Sequence, residues 1–143
     1  MIGNETILID TNVLVYYYDT SNPDKHKKAR SLIDSCWKNQ ANFAISSQNL
    51  SEFFSVATTK DLLTKKQAAD IIYDIIEFSG WVKINFTHHT IIEATFISEA
   101  YDMPYWDSLI AATMKQNSVL KIYTENTKDF KVPWLVVENP FEK

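Results

Sequence analysis

Short apolar runs alternate along the chain with longer stretches in which apolar residues recur every three or four positions. The short runs contain many β-branched residues, which is typical of strands buried on both faces of a parallel sheet. The longer stretches have the spacing of amphipathic helices. The predicted strands cover residues 7–9, 43–45, 81–84, 120–124 and 134–137.

The segments between these strands contain residues that favour the start of a helix. Pro23 and Pro104 suit the first turn of a helix, and Thr64 is a good N-cap. The predicted helices cover residues 13–18, 24–38, 65–78 and 87–101, and further helices carry residues 50–57 and 105–112. This alternation of strands and helices predicts an α/β domain built on a parallel sheet.

The composition is that of one globular domain. The chain has 143 residues, of which 45% are hydrophobic and 22% are charged. A net charge of −4, with Arg30 as the only arginine, argues against nucleic acid held on a broad basic face. Cys36 is the only cysteine, which excludes an intrachain disulfide and a cysteine-based metal cage. The sequence shows neither a signal peptide nor a membrane-spanning run, so we expect a soluble intracellular protein.

Acidic residues occur where predicted strands end or predicted helices begin. Asp10 directly follows the first strand, where it either only caps the next helix or serves as a functional carboxylate. Glu52 follows Asn49 at the spacing of a capping box, which is the structural alternative for this residue. Asp107 is the one charge among apolar neighbours, which favours a place at a helix N-terminus or on a cation. A further acidic segment, residues 125–129, follows the fourth strand.

These acids are expected to converge, because a parallel sheet brings the carboxyl ends of its strands to one edge. Carboxylates held close together repel one another and need divalent cations or raised pKa values. Hard oxygen ligands favour Mg²⁺ or Mn²⁺, which polarise a phosphodiester and activate water. The sequence contains no G-x-S-x-G nucleophile motif and no P-loop that would favour another chemistry.

Four motifs surround these acids. They are Ile-Asp-Thr-Asn at 9–12, Ser-Glu-Phe at 51–53, Tyr-Trp-Asp-Ser-Leu-Ile-Ala-Ala at 105–112 and Thr-Glu-Asn-Thr-Lys-Asp-Phe at 124–130. In this order and spacing they resemble the motifs of PIN-domain ribonucleases, in particular VapC-like toxins of type II toxin–antitoxin modules. The closing Asn-Pro-Phe at 139–141 is also similar to that group. The resemblance implies a single PIN-like domain over residues 1–143, a three-layer α/β/α sandwich with a mostly parallel central sheet.

The resemblance also implies a metal-dependent endoribonuclease that hydrolyses RNA phosphodiesters at a carboxylate-bound Mg²⁺ or Mn²⁺. Asp10 and Asp107 would ligate the metal directly, and Glu52 would ligate it through water or act as general base. Asn126 and Asp129 would complete the site. The family often has an aspartate where this chain has Asn126, a departure that bears on a second metal rather than on the first.

Neighbouring residues would support these acids. Glu125 or Asp129 could supply the negative charge that Asn126 lacks. The residues expected to orient the acids are Thr11, Asn12, Thr124 and Glu125.

Two other functions fit the same residues. A PIN-like fold without its fourth acid could bind RNA or a partner protein without cleaving anything. A metal-dependent phosphatase or DNA nuclease would use the same carboxylates. The resemblance further implies a small antitoxin partner, a homodimer and a cytoplasmic location.

Two surface features have two interpretations each. The basic cluster at residues 25–28 is either a solvated helix end or a patch that steers a phosphate backbone toward the site. The aromatic residues at 16–18 and 53–54 form either a surface for a partner or ordinary core packing.

Overall fold

Five short parallel strands form one sheet in the computed structural model, which describes residues 5–142. The strands are β1 (Ile7–Ile9), β2 (Phe43–Ser46), β3 (Trp81–Ile84), β4 (Lys121–Tyr123) and β5 (Val136–Glu138). Their order across the sheet is β3-β2-β1-β4-β5, and every neighbouring pair is parallel. β1 lies in the centre, where Ile7 pairs with Phe43 on one side and with Lys121 on the other. The predicted parallel sheet is confirmed.

Helices connect the strands, as the periodicity predicts. They are α1 (Thr11–Tyr16), α2 (Pro23–Trp37), α3 (Ser47–Thr59), α4 (Lys65–Glu77), α5 (His88–Tyr101) and α6 (Tyr105–Gln116). A 3₁₀ turn at Thr127–Asp129 follows β4. The first helix begins earlier than predicted because Asp10 itself is the N-cap. Between residues 5 and 142, none of the helices has the length and apolarity that a membrane crossing requires.

The sheet separates two hydrophobic cores, because successive side chains of a strand point to opposite faces. Leu8, Ala44 and Ile122 pack with residues of α5 and α6 on one face. Ile9 and Ile45 pack with residues of α1, α2, α3 and α4 on the other face. The three-layer α/β/α sandwich is therefore confirmed.

Most of the aromatic residues near α1 and α3 belong to the second core. Phe53 is 0% exposed, and its ring centroid lies 5.6 Å from that of Tyr18. Tyr17 and Tyr18 are half-buried against the same core. Core packing is thus the better interpretation of these residues.

The start of α3 corrects one expectation from the sequence. Ser46 is the N-cap, and its hydroxyl accepts a hydrogen bond from the backbone N–H of Asn49 at 3.0 Å. Asn49 completes a capping box by accepting from the backbone N–H of Ser46 at 3.3 Å. A box with Asn49 as the cap and Glu52 as its partner is therefore wrong, because β2 runs directly into a helix that begins at Ser47. Glu52 is left available for another role.

Candidate functional site

A polar cavity of about 480 Å³ lies at the carboxyl edge of the sheet. Its walls come from the start of α1, the middle of α3, the start of α6 and the loop after β4. The lining residues are Asp10, Thr11, Asn12, Glu52, Ser55, Val56, Asp107, Ile110, Glu125 and Asn126. The structure therefore places at one cavity most of the residues singled out in the sequence, although they are far apart along the chain.

Asp10 is held in place from three sides. Its Oδ1 accepts hydrogen bonds from the backbone N–H of Thr11 at 2.9 Å and from Nδ2 of Asn49 at 3.3 Å. Its Oδ2 accepts from the hydroxyl of Thr124 at 2.7 Å. Asp10 thus caps α1 and also presents a carboxylate to the cavity, so the two interpretations of this residue are compatible.

Asn49 is a residue of the site that sequence reasoning assigned only to helix capping. Its side chain is fully buried, and Nδ2 also donates to Oγ1 of Thr11 at 3.0 Å. The Thr11 hydroxyl in turn donates to Oε1 of Glu52 at 2.8 Å. Asn49 therefore connects Asp10 to Glu52 through Thr11. The available sequence signal was an asparagine at the third helical position after a serine cap.

Asp107 lies in the first turn of α6, where the sequence placed it. Nδ2 of Asn126 is 3.4 Å from its Oδ2, which makes a long hydrogen bond. The neighbouring Trp106 carbonyl accepts a hydrogen bond from Nε2 of the buried Gln48 at 3.1 Å. This bond ties the start of α6 to the start of α3, which also carries Glu52.

The loop after β4 is anchored by Thr124, which is 1% exposed. The Thr124 hydroxyl donates to Asp10 and accepts from the backbone N–H of Asn126 at 2.9 Å. Asn126 is thereby placed beside Asp107. Asn12, expected to support the acids, is exposed at the cavity rim.

Glu125 lies in the wall of the cavity, whereas Asp129 lies outside it. Glu125 lines the cavity, but its two carboxylate oxygens accept hydrogen bonds from the Tyr16 hydroxyl and the Lys25 ammonium group. Asp129 is half-buried in the 3₁₀ turn and is not part of the cavity wall. It acts on the site through its charge, which helps to raise the pKa of Asp107.

Two of the carboxyl groups have raised pKa values. Burial, together with the charges of Asp10, Asp129 and Glu52, raises the pKa of Asp107 from 3.8 to about 6. Burial also raises the pKa of Asp10, against the lowering effect of its hydrogen bonds to Thr124, Thr11 and Asn49. Both carboxylates therefore lie where negative charge is costly and a cation would be stabilising.

The cost of this charge predicts a pH dependence of stability. The Asp107 carboxyl has a pKa of about 6 in the folded protein and 3.8 in the unfolded chain, so the folded state binds this proton more tightly. The contribution of the proton to the free energy of unfolding is therefore lost as the pH rises from 3.8 to about 6. We expect the wild type to lose stability relative to Asp107→Asn over this interval. Thermal unfolding of both proteins in EDTA at several pH values measures the difference. A gap between the two melting temperatures that does not change with pH would contradict this assignment.

The donor atoms of the site are of the kind that Mg²⁺ and Mn²⁺ prefer. Glu52 and Asp107 each use one carboxylate oxygen in a hydrogen bond, and the other has no hydrogen-bond partner among residues 5–142. Over the same range, no three His, Cys, Asp or Glu side chains are grouped closely enough to enclose an ion by themselves. Hydrated Mg²⁺ usually takes one or two carboxylates directly and keeps several water molecules, so it does not require three enclosing side chains.

Solved structures of toxin proteins have a similar fold. A chain in a toxin–antitoxin complex from Klebsiella pneumoniae has 22% identity and a TM-score of 0.67, with 96% of this chain and 99% of that chain covered. VapC20 of Mycobacterium tuberculosis, a sarcin–ricin loop cleaving toxin, has 14% identity and a TM-score of 0.69, with 90% and 96% covered. A chain of VapBC2 from Rickettsia felis, bound to a DNA fragment from its promoter, has 21% identity and a TM-score of 0.65, with 94% and 98% covered. These likenesses establish the fold.

The comparison of sequences gives the family. No curated protein sequence matches this chain. The model of the PIN domain family matches residues 7–133, a range that contains every acid of the cavity. The chain therefore belongs to the PIN domain family, as its four motifs predicted.

Proposed function

We propose that this protein is a metal-dependent endoribonuclease and the toxin component of a type II toxin–antitoxin module. One observation carries the proposal: Asp10, Glu52 and Asp107 come from three separate elements and line one polar cavity. Membership of the PIN domain family supports hydrolysis of nucleic acid. The existence of a toxin with the same fold that cleaves the sarcin–ricin loop supports RNA as the substrate.

In this proposal Asp10 and Asp107 hold the cation, and Glu52 contacts it through water. The bound Mg²⁺ or Mn²⁺ would neutralise charge on the phosphodiester and make water more acidic. Asn126 adds an amide beside Asp107, and the charge of Asp129 acts on the Asp107 carboxyl. Each acid is kept in position by neighbours that leave an oxygen lone pair available for the cation.

Glu52 is the candidate general base. Thr11 fixes one of its oxygens at 2.8 Å, and the other has no hydrogen-bond partner among the described residues. A carboxylate oriented in this way can accept a proton from a water molecule that attacks the phosphorus. Because Thr11 is itself held by Asn49, the position of the base depends on the same polar network as that of Asp10.

The proposal also includes a small antitoxin as partner. An apolar groove of about 620 Å³ runs between α3 and α4, and its walls include Leu50, Phe54, Ile72 and Ile76. Such a groove suits the apolar side of a short amphipathic segment. Similar chains occur in toxin–antitoxin complexes, which supports this assignment. A homodimeric state and a cytoplasmic location are proposed from the resemblance to VapC-like toxins.

Cleavage of a mixed RNA pool by the purified chain tests the function. The pool is incubated with Mg²⁺, with Mn²⁺ and with EDTA, alongside a single-stranded DNA pool and a phosphate-monoester substrate. Discrete RNA fragments that need the metal would support the proposal. Cleavage of only the DNA or only the monoester would show that RNA is not the substrate. RNA binding without cleavage would favour the non-catalytic binding module, and the asparagine at position 126 would be the first explanation for the missing cleavage.

A further inference from the structure

The carboxylate of Glu125 is the acid of the cavity whose charge is already balanced within the protein. Its Oε1 accepts a hydrogen bond of 2.8 Å from the Tyr16 hydroxyl, and its Oε2 forms an ion pair with the Lys25 ammonium group. Both side chains of the ion pair are partly buried, with 33% exposure for Lys25 and 22% for Glu125. An ion pair at this depth is screened less by salt than a pair on the open surface.

The partners of Glu125 are themselves held in place. The ring of Phe141 packs edge-on against the ring of Tyr16, with 5.2 Å between the centroids. Lys25 Nζ lies 5.3 Å from the centroid of the Tyr16 ring and 6.0 Å from that of Phe141. Nδ1 of His26 donates to the Tyr16 carbonyl at 2.9 Å, which joins the start of α2 to the end of α1. Three segments of the chain, the end of α1, the start of α2 and the segment at Phe141, therefore fix one carboxylate.

We propose that Tyr16 and Lys25 are positioning residues that remove Glu125 from the set of cation ligands and hold the loop from which Asn126 reaches Asp107. This inference rests on the proposed function, since it concerns the same cavity. An ammonium group in contact with Glu125 cancels the attraction that its carboxylate would exert on Mg²⁺. The pKa values of both donors support the arrangement. The hydrogen bond to Glu125 raises the pKa of Lys25, and burial and Glu125 raise that of Tyr16.

This arrangement indicates whether Glu125 or Asp129 supplies the negative charge that Asn126 lacks. Either Glu125 or Asp129 could supply that charge on the basis of sequence. The structure neutralises Glu125 with Lys25, whereas the Asp129 carboxylate has no hydrogen-bond or ion-pair partner among residues 5–142. Within the basic cluster at the start of α2, Lys25 and His26 are bonded inside the protein, so the two interpretations of the cluster now apply only to the exposed Lys27 and Lys28.

Calorimetric titration with Mn²⁺, in the absence of RNA, tests this proposal. The proteins are the wild type, Glu125→Gln, Lys25→Met and the double variant. We expect the affinity of Lys25→Met to rise by at least about fivefold because a free carboxylate joins the cavity, and that of Glu125→Gln to fall by up to about fivefold because the Lys25 ammonium group is left uncompensated. The double variant should return to within about threefold of wild type, since it has no released charge.

Two control variants separate the effect of the Lys25–Glu125 ion pair from the effect of positive charge elsewhere on α2. Lys25→Arg keeps the ion pair and should bind Mn²⁺ like the wild type. Lys28→Met removes the same charge from an exposed position of α2 and should change the affinity by less than about twofold because solvent screens it. Thermal unfolding without metal shows that each variant is folded, and the double variant decides the question if Lys25→Met does not fold.

The outcomes distinguish this inference from the proposed function. A loss of affinity of about tenfold or more in the double variant, which lacks both charges, would make Glu125 a ligand and overturn the inference, while the metal site itself would stand. An unchanged affinity in a folded Lys25→Met would also overturn it. Absence of Mn²⁺ binding in the wild type would overturn the proposed metal site and this inference together.

Discussion

Replacement of Asp10 by asparagine should reduce metal-dependent RNA cleavage by at least about a thousandfold, or about 4 kcal/mol of transition-state stabilisation. The variant removes the charge that would hold the cation at the centre of the cavity. It should nevertheless fold, because asparagine is an equally good N-cap for α1 and can still accept the hydrogen bond from Thr11. The raised pKa of Asp10 further indicates that loss of this charge does not destabilise the metal-free protein.

Initial rates of RNA cleavage in Mg²⁺ and Mn²⁺ measure this effect, together with thermal unfolding in EDTA. Asp70→Asn is the matched control. Asp70 is an exposed carboxylate on α4 that is paired only with Lys66, so its loss should leave cleavage unchanged. If the folded Asp10→Asn protein cleaves RNA within about tenfold of wild type, Asp10 does not hold the metal.

Replacement of Asn49 by alanine should lower the free energy of unfolding by about 3 kcal/mol. The amide makes hydrogen bonds to Asp10, Thr11 and Ser46, and it has no exposed surface. Its loss leaves buried polar groups without partners and removes half of a capping box. For a domain of this size the melting temperature should fall by about 10 °C.

Thermal and urea unfolding in EDTA measure the loss, and RNA cleavage at a temperature where the variant is folded measures the effect on the site. Asn85→Ala is the control, because the side chain of Asn85 is exposed and the same change there should cost less than about 0.5 kcal/mol. Cleavage by Asn49→Ala should also fall, since Asp10 and Thr11, which fixes Glu52, each lose a hydrogen bond from the Asn49 amide. A variant as stable as wild type would show that the network around Asn49 contributes little.

The sequence was sufficient to predict the sheet, its helices and the convergence of the acids, because these follow from local patterns. Apolar runs define strands, helical spacing defines helices, and parallel strands place their carboxyl ends together. Asp10 and Asp107 were recognisable because each is a charge beside an apolar segment at the start of a helix, whereas Glu52, in the middle of α3, was assigned from the Ser-Glu-Phe motif. Their placement in one cavity agrees with that reasoning, and their chemical roles remain proposals.

Contacts between distant side chains were not predictable in this way. Lys25 and Glu125 are 100 residues apart, and Tyr16 and Glu125 are 109 apart. No local pattern pairs them, so Glu125 was expected to be available to the site. Asn49 was misassigned for a related reason. Its local signal correctly indicated a helix start, but the position of the cap and the amide's bond to Asp10 depend on how β1 and β2 meet.

The central position of β1 bears on when the site can exist during synthesis. Asp10 and its partner Thr124 are separated by 114 residues. At about 5–20 residues per second, a ribosome needs roughly 6 to 23 seconds to make the segment between them. Throughout that time the growing chain lacks Thr124 and Asn126, and β1 has no β4 to pair with. If the protein cleaves RNA, the cutting site cannot assemble until the ribosome has translated the chain through Asn126.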